Sequence, residues 1–296
     1  MNEVLEEALL FRCAGELLPG IVAAAGKRSR AAMPDATADR RAACGVLIVV
    51  GGPQYRVGSH RQFLLLSRRL AAEGYPVMRF DCRGMGDGSG AIRGFEEIGD
   101  DIAAAIDAFR RSCPTVRRIV LWGLCDAASA ALLYVEAKAD ERVAGLVVLN
   151  PWVRSESSLA KTHLKHYYGQ RLLQREFWWK LLGGRMEILK SVRGLLRNAL
   201  LARRPAGRAE SRSFQERMAD GWRRFPGSVL LILSGQDYTA KEFLEFVAAN
   251  PGWSEITTAA RVRRIDLADA DHTFSSRDWR SQVETATLEW LDTLSG

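Results

Sequence analysis

The chain contains no run of eighteen or more apolar residues, so no membrane-spanning helix is expected. Cysteine is scarce and odd in number. Cys13, Cys44, Cys82, Cys113 and Cys125 also lack metal-ligand spacing. That excludes a fully paired disulfide framework and a zinc ribbon, and fits reduced thiols in the cytoplasm. There are four histidines. His163 and His166 stand three apart with no carboxylate pattern beside them, so no metal is expected. No G-x-x-x-x-G-K followed by Ser or Thr occurs. The glycine-rich turn Asp81 to Asp87 is not a G-x-G-x-x-G on a strand-to-helix turn, so no nucleotide and no cofactor is expected. The start MNEVLEEALLF carries acids ahead of its apolar stretch, where a secretory signal needs a basic front. No internal repeat is visible.

What is present is a chain of 296 residues, 47% apolar, enough for one large domain or two small ones around a substantial core. The net charge of +7 is uneven. Trp152 to Asp220 holds fifteen Lys/Arg against six Asp/Glu, a local excess of nine that leaves the remainder at −2. The plain reading of this basic segment is a solvated helical face. The alternative is contact with an anionic substrate or an anionic membrane surface, and nucleic acid is not expected as a partner.

Along the chain, ALLFRCAGELLPGIVAAAG reads as an antiparallel hairpin about Gly15-Glu16, and Lys27 to Arg41 as a polar, proline-containing loop. Strands and helices then alternate. Strands are expected at Cys44–Pro53, Tyr75–Gly84, Arg118–Trp122 and Arg142–Pro151. Helices are expected at Arg61–Glu73, Glu96–Arg111 and Ala127–Ala137. The alternation stops over 152–224, a helix-rich, basic stretch that reads as a cap, or lid, inserted after the sixth strand. It resumes with a strand at Ser228–Asp237, a helix at Thr239–Asn250, a strand at Arg261–Leu267 and a helix at Asp278–Leu294, which Ser276 or Asp278 could cap. The pattern predicts an α/β fold: a mostly parallel sheet covered by helices on both faces, with an N-terminal antiparallel hairpin. The core would be 1–151 with 225–296, and the loops at the carboxyl ends of the strands would carry the site.

The segment RIVLWGLCDAASAALLY joins an apolar strand to an alanine-rich helix through Gly123-Leu124-Cys125-Asp126-Ala127. This is the layout of the G-x-S-x-G nucleophile turn with sulfur in place of oxygen. Small residues two before and two after the nucleophile let strand and helix pass closely. A helix N-terminus and an imidazole can activate the thiol, although a small buried cysteine is the competing reading. His272, between the last strand and the last helix, falls where the base belongs. Asp237, after the strand LLILSG, is the expected acid, against an alternative as a helix cap. Its competitors are Asp266, Asp269 and Asp271, and a position near Asn150 would carry no charge. Backbone N–H groups of Asp126 and Gln54 are the expected oxyanion donors, since Pro53 has none. The Asp126 carboxylate is expected to point away from the thiol. His60 and Trp152 are candidate substrate contacts, and Arg83 is expected to pair with a carboxylate.

Taken together, GGPQYRVGSHRQF, RFDCRGMGDGSG, LWGLCDAASAALLY, LNPWVRS, LSGQDYTAKEF and DADHTF resemble the α/β-hydrolases, and more narrowly the exosortase A system-associated hydrolases of type 1. The resemblance spans nearly the whole chain. It implies a bacterial cytoplasmic protein tied to an exopolysaccharide and protein-sorting system. It also implies triad roles for Cys125, Asp237 and His272, with Gln54 and Asp126 at the oxyanion. Ala127 departs from the common glycine of the elbow, and Gly88 stands where a serine is frequent. Three functions follow from these residues: a cysteine-dependent ester or thioester hydrolase acting on a small acyl compound, an acyltransferase using the same thioester, or a non-catalytic scaffold.

Overall fold

The computed structural model describes residues 3–26, 34–52, 54–154 and 212–294. In chain order the described elements are β1 (Val4–Cys13), β2 (Glu16–Ala25), α1 (Asp35–Ala42), β3 (Cys44–Val49), α2 (Gln62–Ala72), β4 (Val77–Phe80), α3 (Gly99–Ser112), β5 (Arg118–Leu124), α4 (Asp126–Lys138), β6 (Val143–Leu149), α5 (Phe214–Arg224), β7 (Ser228–Ser234), α6 (Tyr238–Ala249), α7 (Pro251–Thr257), β8 (Val262–Leu267) and α8 (Arg277–Leu294). A single turn of 3-10 helix, Ser59–Arg61, precedes α2.

The apolar runs of β3, β5, β6 and β7 are buried along nearly their whole length, as strands covered on both faces must be. All eight strands join one sheet in the order β1-β2-β4-β3-β5-β6-β7-β8. β2 runs antiparallel to both β1 and β4, and from β4 through β3 to β8 every pairing is parallel. Alternation along the strands then makes two cores. Leu47, Leu121, Leu146 and Leu231 face a layer that includes Ile102 and Ile106 of α3, Leu132 of α4, Trp222 of α5 and Phe243 of α6. Ile48, Trp122, Val147 and Ile232 face Phe63, Leu66 and Leu70 of α2 and Trp290 and Leu291 of α8. The expected fold class is the observed one.

Four details differ from the sequence reading. The loop expected to run to Arg41 contains α1. Proline precedes its first turn, where the missing N–H costs nothing. Arg41 anchors its end through two bonds of 3.0 Å to Asp292 and one of 2.8 Å to the Glu73 carbonyl. β4 stops at Phe80, short of the expected Gly84, because the buried Asp81 turns back to accept the Arg56 and Asp87 N–H groups at 2.7 and 3.0 Å. α7 follows α6 directly, with Pro251 opening it. Finally, α5 lies inside the stretch expected to form the insertion, yet it packs on the core. Arg217 reaches Glu136 of α4 at 3.1 and 3.2 Å, and Trp222 packs edge-on against Trp253 with ring centres 6.1 Å apart.

Residues 1–153 and 213–296 form one compact unit and 154–212 a second. The remainder of the expected cap, with His163 and His166, lies outside the described residues. Ser276 caps α8 by accepting the Trp279 N–H at 3.1 Å. Arg83 makes a buried two-pronged bond to Asp101, at 2.8 and 2.9 Å. Among the described residues no helix is long and apolar enough to cross a membrane.

Candidate active site

The turn from β5 into α4 is held in a conformation few side chains adopt. Cys125 has φ 61° and ψ −122°, a region that costs a non-glycine residue about 1–3 kcal/mol unless its surroundings enforce it. Here they do. The Cys125 N–H donates to the Leu149 carbonyl at 2.8 Å, and its carbonyl accepts from the Ser129 and Trp152 N–H groups at 3.2 and 3.3 Å. The close pass of strand and helix explains the small residues. A Cβ on Gly123 would lie 2.6 Å from the Ala127 carbonyl carbon, and Ala127 is itself fully buried. The Cys125 side chain makes no cap to α4, and the residue is half-buried.

His272 comes from the loop after β8, and its Nδ1 is 2.8 Å from Oδ2 of Asp237. Cys125 also acts on the imidazole, and both residues line one pocket. The bond to Asp237 first, and the contact with Cys125 second, push the imidazole up to about 10 against the opposing effect of burial. Asp237 is buried and also caps α6, accepting the Thr239 and Ala240 N–H groups at 3.1 and 3.2 Å. The two readings of this residue, cap and histidine partner, are realised together. The competing acids lie elsewhere. Asp266 pairs with Arg264, Asp269 is exposed, and Asp271 turns into its own loop to accept the Thr273 and Ser275 N–H groups.

Asn150, noted in the sequence only as uncharged, organises this end of the sheet. It is fully buried in the left-handed region at φ 43°, which Asn tolerates better than most residues. Its amide donates to Ser234 Oγ at 2.9 Å and to the His272 carbonyl at 3.4 Å, and accepts the Ser234 N–H at 2.9 Å. Ser234 Oγ in turn donates to the Asp271 carbonyl at 3.0 Å. The histidine loop is thereby tied to the ends of β6 and β7. Its position at the end of a strand was the signal available in the sequence.

The Asp126 carboxylate does not point away, as expected, but across the elbow. Its Oδ2 accepts the Gly52 N–H at 2.8 Å, and its Oδ1 accepts the Ala127 N–H at 2.9 Å. Burial raises its carboxyl above the usual aspartate value, and the Gly52 and Ala127 amides pull it the other way. A Cβ on Gly51 would sit 1.9 Å from Oδ1, and Gly52 has φ 59°, so the two glycines shape the turn around this carboxylate. Gln54 lines the same pocket, but its N–H is engaged with the Gly52 carbonyl at 2.8 Å and is not turned outward. Trp152 also lines the pocket. His60 does not; it sits at φ 51° in the 3-10 turn with its side chain exposed. The cavity measures about 330 Å³, with Cys125, Asp126 and His272 among apolar walls that include Phe63, Phe95 and Leu124.

Solved structures share this architecture. An esterase of Pyrococcus furiosus aligns with a TM-score of 0.63 at 14% identity, over 99% of this chain and 92% of that one. Est1E of Butyrivibrio proteoclasticus, solved with ferulic acid bound, aligns with a TM-score of 0.60 at 15% identity, over 97% and 98%. An acylaminoacyl peptidase of Pyrococcus horikoshii aligns at 0.58 and 15% identity, over 98% of this chain and 41% of that one. No match was found among curated proteins. At such identities the likeness concerns the fold alone. Residues 46–284, well over half of the chain, match the alpha/beta hydrolase family, and the chain belongs to that family as a hydrolase.

Proposed function

We propose that Cys125 is the nucleophile of a hydrolase acting on an ester or thioester of a small acyl compound, with His272 moving the proton and Asp237 orienting the imidazole. The observation that carries this reading is the Asp237–His272 bond, with the imidazole lining the same cavity as Cys125 at the apex of a strained elbow. The imidazole, raised to about 10 chiefly by its bond to Asp237, is the group placed to take up the proton that the thiol gives up. The sulfur adds to the carbonyl carbon, and the tetrahedral intermediate collapses to a thioester. His272 hands its proton to the departing alcohol or thiol, then accepts one from the water that clears the acyl group. The Asp126 N–H, at the first position of α4, has no backbone acceptor within the helix and is the amide best suited to the oxyanion. A contribution from Gln54 requires its bond to Gly52 to open.

Acyl transfer is the second reading, favoured by sulfur at this position, because amines and alcohols attack a thioester readily. It predicts acylated acceptor in place of free acid. The exosortase-associated motifs extend the proposal to a cytoplasmic role beside a bacterial exopolysaccharide system, with the basic 152–224 stretch as the candidate contact for an anionic partner. A scaffold role predicts that Cys125→Ala leaves that system working.

Intact-mass analysis with a panel of activated esters and thioesters tests the core of the proposal. One acyl group should attach at Cys125, and iodoacetamide should abolish both adduct and turnover. Turnover that survives complete labelling of Cys125 would refute it.

A further inference from the structure

The pocket beside Cys125 has apolar walls and one fixed carboxylate. Phe63, Phe95, Leu124 and Trp152 line it, and among the described residues no lysine or arginine does. The Asp126 carboxylate is not a mobile surface charge. It holds the Gly52 and Ala127 N–H groups, and Gly51 leaves room for it where any Cβ would collide. Swinging it out would strand two amide donors, at a cost that keeps it in place. Its hydrogen-bond partners are neutral amides, and the one cation that acts on it, the His272 imidazolium, is already bonded to Asp237. Asp237 differs, since its charge is matched by the imidazolium it touches. Setting the sulfur aside, the site therefore carries one unmatched negative charge.

We infer that Asp126 is a specificity-determining residue, whose carboxylate admits uncharged, largely apolar acyl groups to Cys125 and turns away acyl groups bearing a carboxylate or phosphate. The inference rests on Cys125 being the nucleophile and names the substrate class of that site. It opposes what the basic composition of 152–224 would suggest, and the two give opposite results in one experiment.

That experiment uses alkylation, which reads the charge of the pocket without requiring turnover. The full-length protein is treated in parallel with iodoacetamide and iodoacetate, and labelling of Cys125 is followed by mass spectrometry. N-acetylcysteinamide in the same buffer supplies the intrinsic ratio of the two reagents. Like charges about 6 Å apart at an effective dielectric near 20 should raise the iodoacetamide preference at Cys125 up to about a hundredfold over the free thiol. Asp126→Asn, which is isosteric, and Asp126→Ser, which keeps an acceptor for the Gly52 N–H, should both return the ratio to within about threefold of the free thiol. A wild-type ratio at or below that of the free thiol overturns the inference, and so does a raised ratio that both variants retain. The parent reading fails separately: an iodoacetamide preference with no acyl adduct from any ester leaves the charge selection standing and removes the hydrolase mechanism.

Discussion

Asp237→Asn separates two contributions of a single side chain. Asparagine caps helices about as well as aspartate, so α6 should keep its start and the melting temperature should stay within about 2 °C. The imidazole, however, loses the carboxylate that fixes its tautomer, a change that lowers turnover by roughly 10⁴ in the corresponding serine triads. Esterase assays beside thermal melts would show the split; a parallel loss of both would assign Asp237 to the cap alone. His272 makes a second prediction, in pH. It binds its proton more tightly in the fold, up to about 10, than at its ordinary value of 6.5. Its stabilising contribution is therefore complete below about pH 6.5 and is lost as pH rises through about 10. His272→Gln should flatten the stability curve across that window, as denaturant titrations at several pH values would report. Cys125, His272 and Asp237 could be singled out as candidates because each falls just past the end of a strand that could itself be read. The aim of the Asp126 carboxylate was not, because Gly51 and Gly52, far earlier in the chain, create the space it enters.

Among the elements, the elbow has the least freedom. Gly123→Ala puts a methyl group 2.6 Å from backbone atoms of α4, which cannot step aside as a flexible side chain could. The expected outcome is a loss of about 1–3 kcal/mol in denaturant unfolding, together with slower iodoacetamide labelling of Cys125 as the turn opens. Asn150→Ala probes the end of the neighbouring strand, β6. It leaves the buried Ser234 N–H without its acceptor and frees the His272 loop, at about 1–3 kcal/mol. Catalysis should fall further than Cys125 alkylation, a difference that mutation of a merely structural residue would not produce. Strands such as β3 and β7 were readable because burial on both faces leaves an unbroken apolar run. Helix α1 was not, since its short polar sequence depends on Arg41 meeting Asp292 at the far end of the chain. β4 was read too long because nothing local announces that Asp81 will fold back on Arg56.

Across the whole molecule, the strand order brings Leu124, Leu149 and Ser234 to the same edge of the sheet, so the loops leaving β5, β6 and β7 converge without any sequence proximity. That convergence follows from parallel pairing, and parallel pairing was readable from the alternation of elements. The extent of the cap was less so, because α5 shares the basic character of its neighbours, and it is in the structure that its buried face, Met218 and Trp222 included, reveals that it belongs to the core.

The arrangement of β8 at the far margin of the sheet also sets a timetable. The elbow, with its strained cysteine, is made well before the imidazole, which follows β8 in the chain and takes its place once β8 has zipped onto β7. Chains are made from the amino end and fold region by region. A nascent chain therefore exposes the elbow for as long as it takes to make the residues from Asp126 through β8, and its thiol meets His272 only after β8 has joined β7.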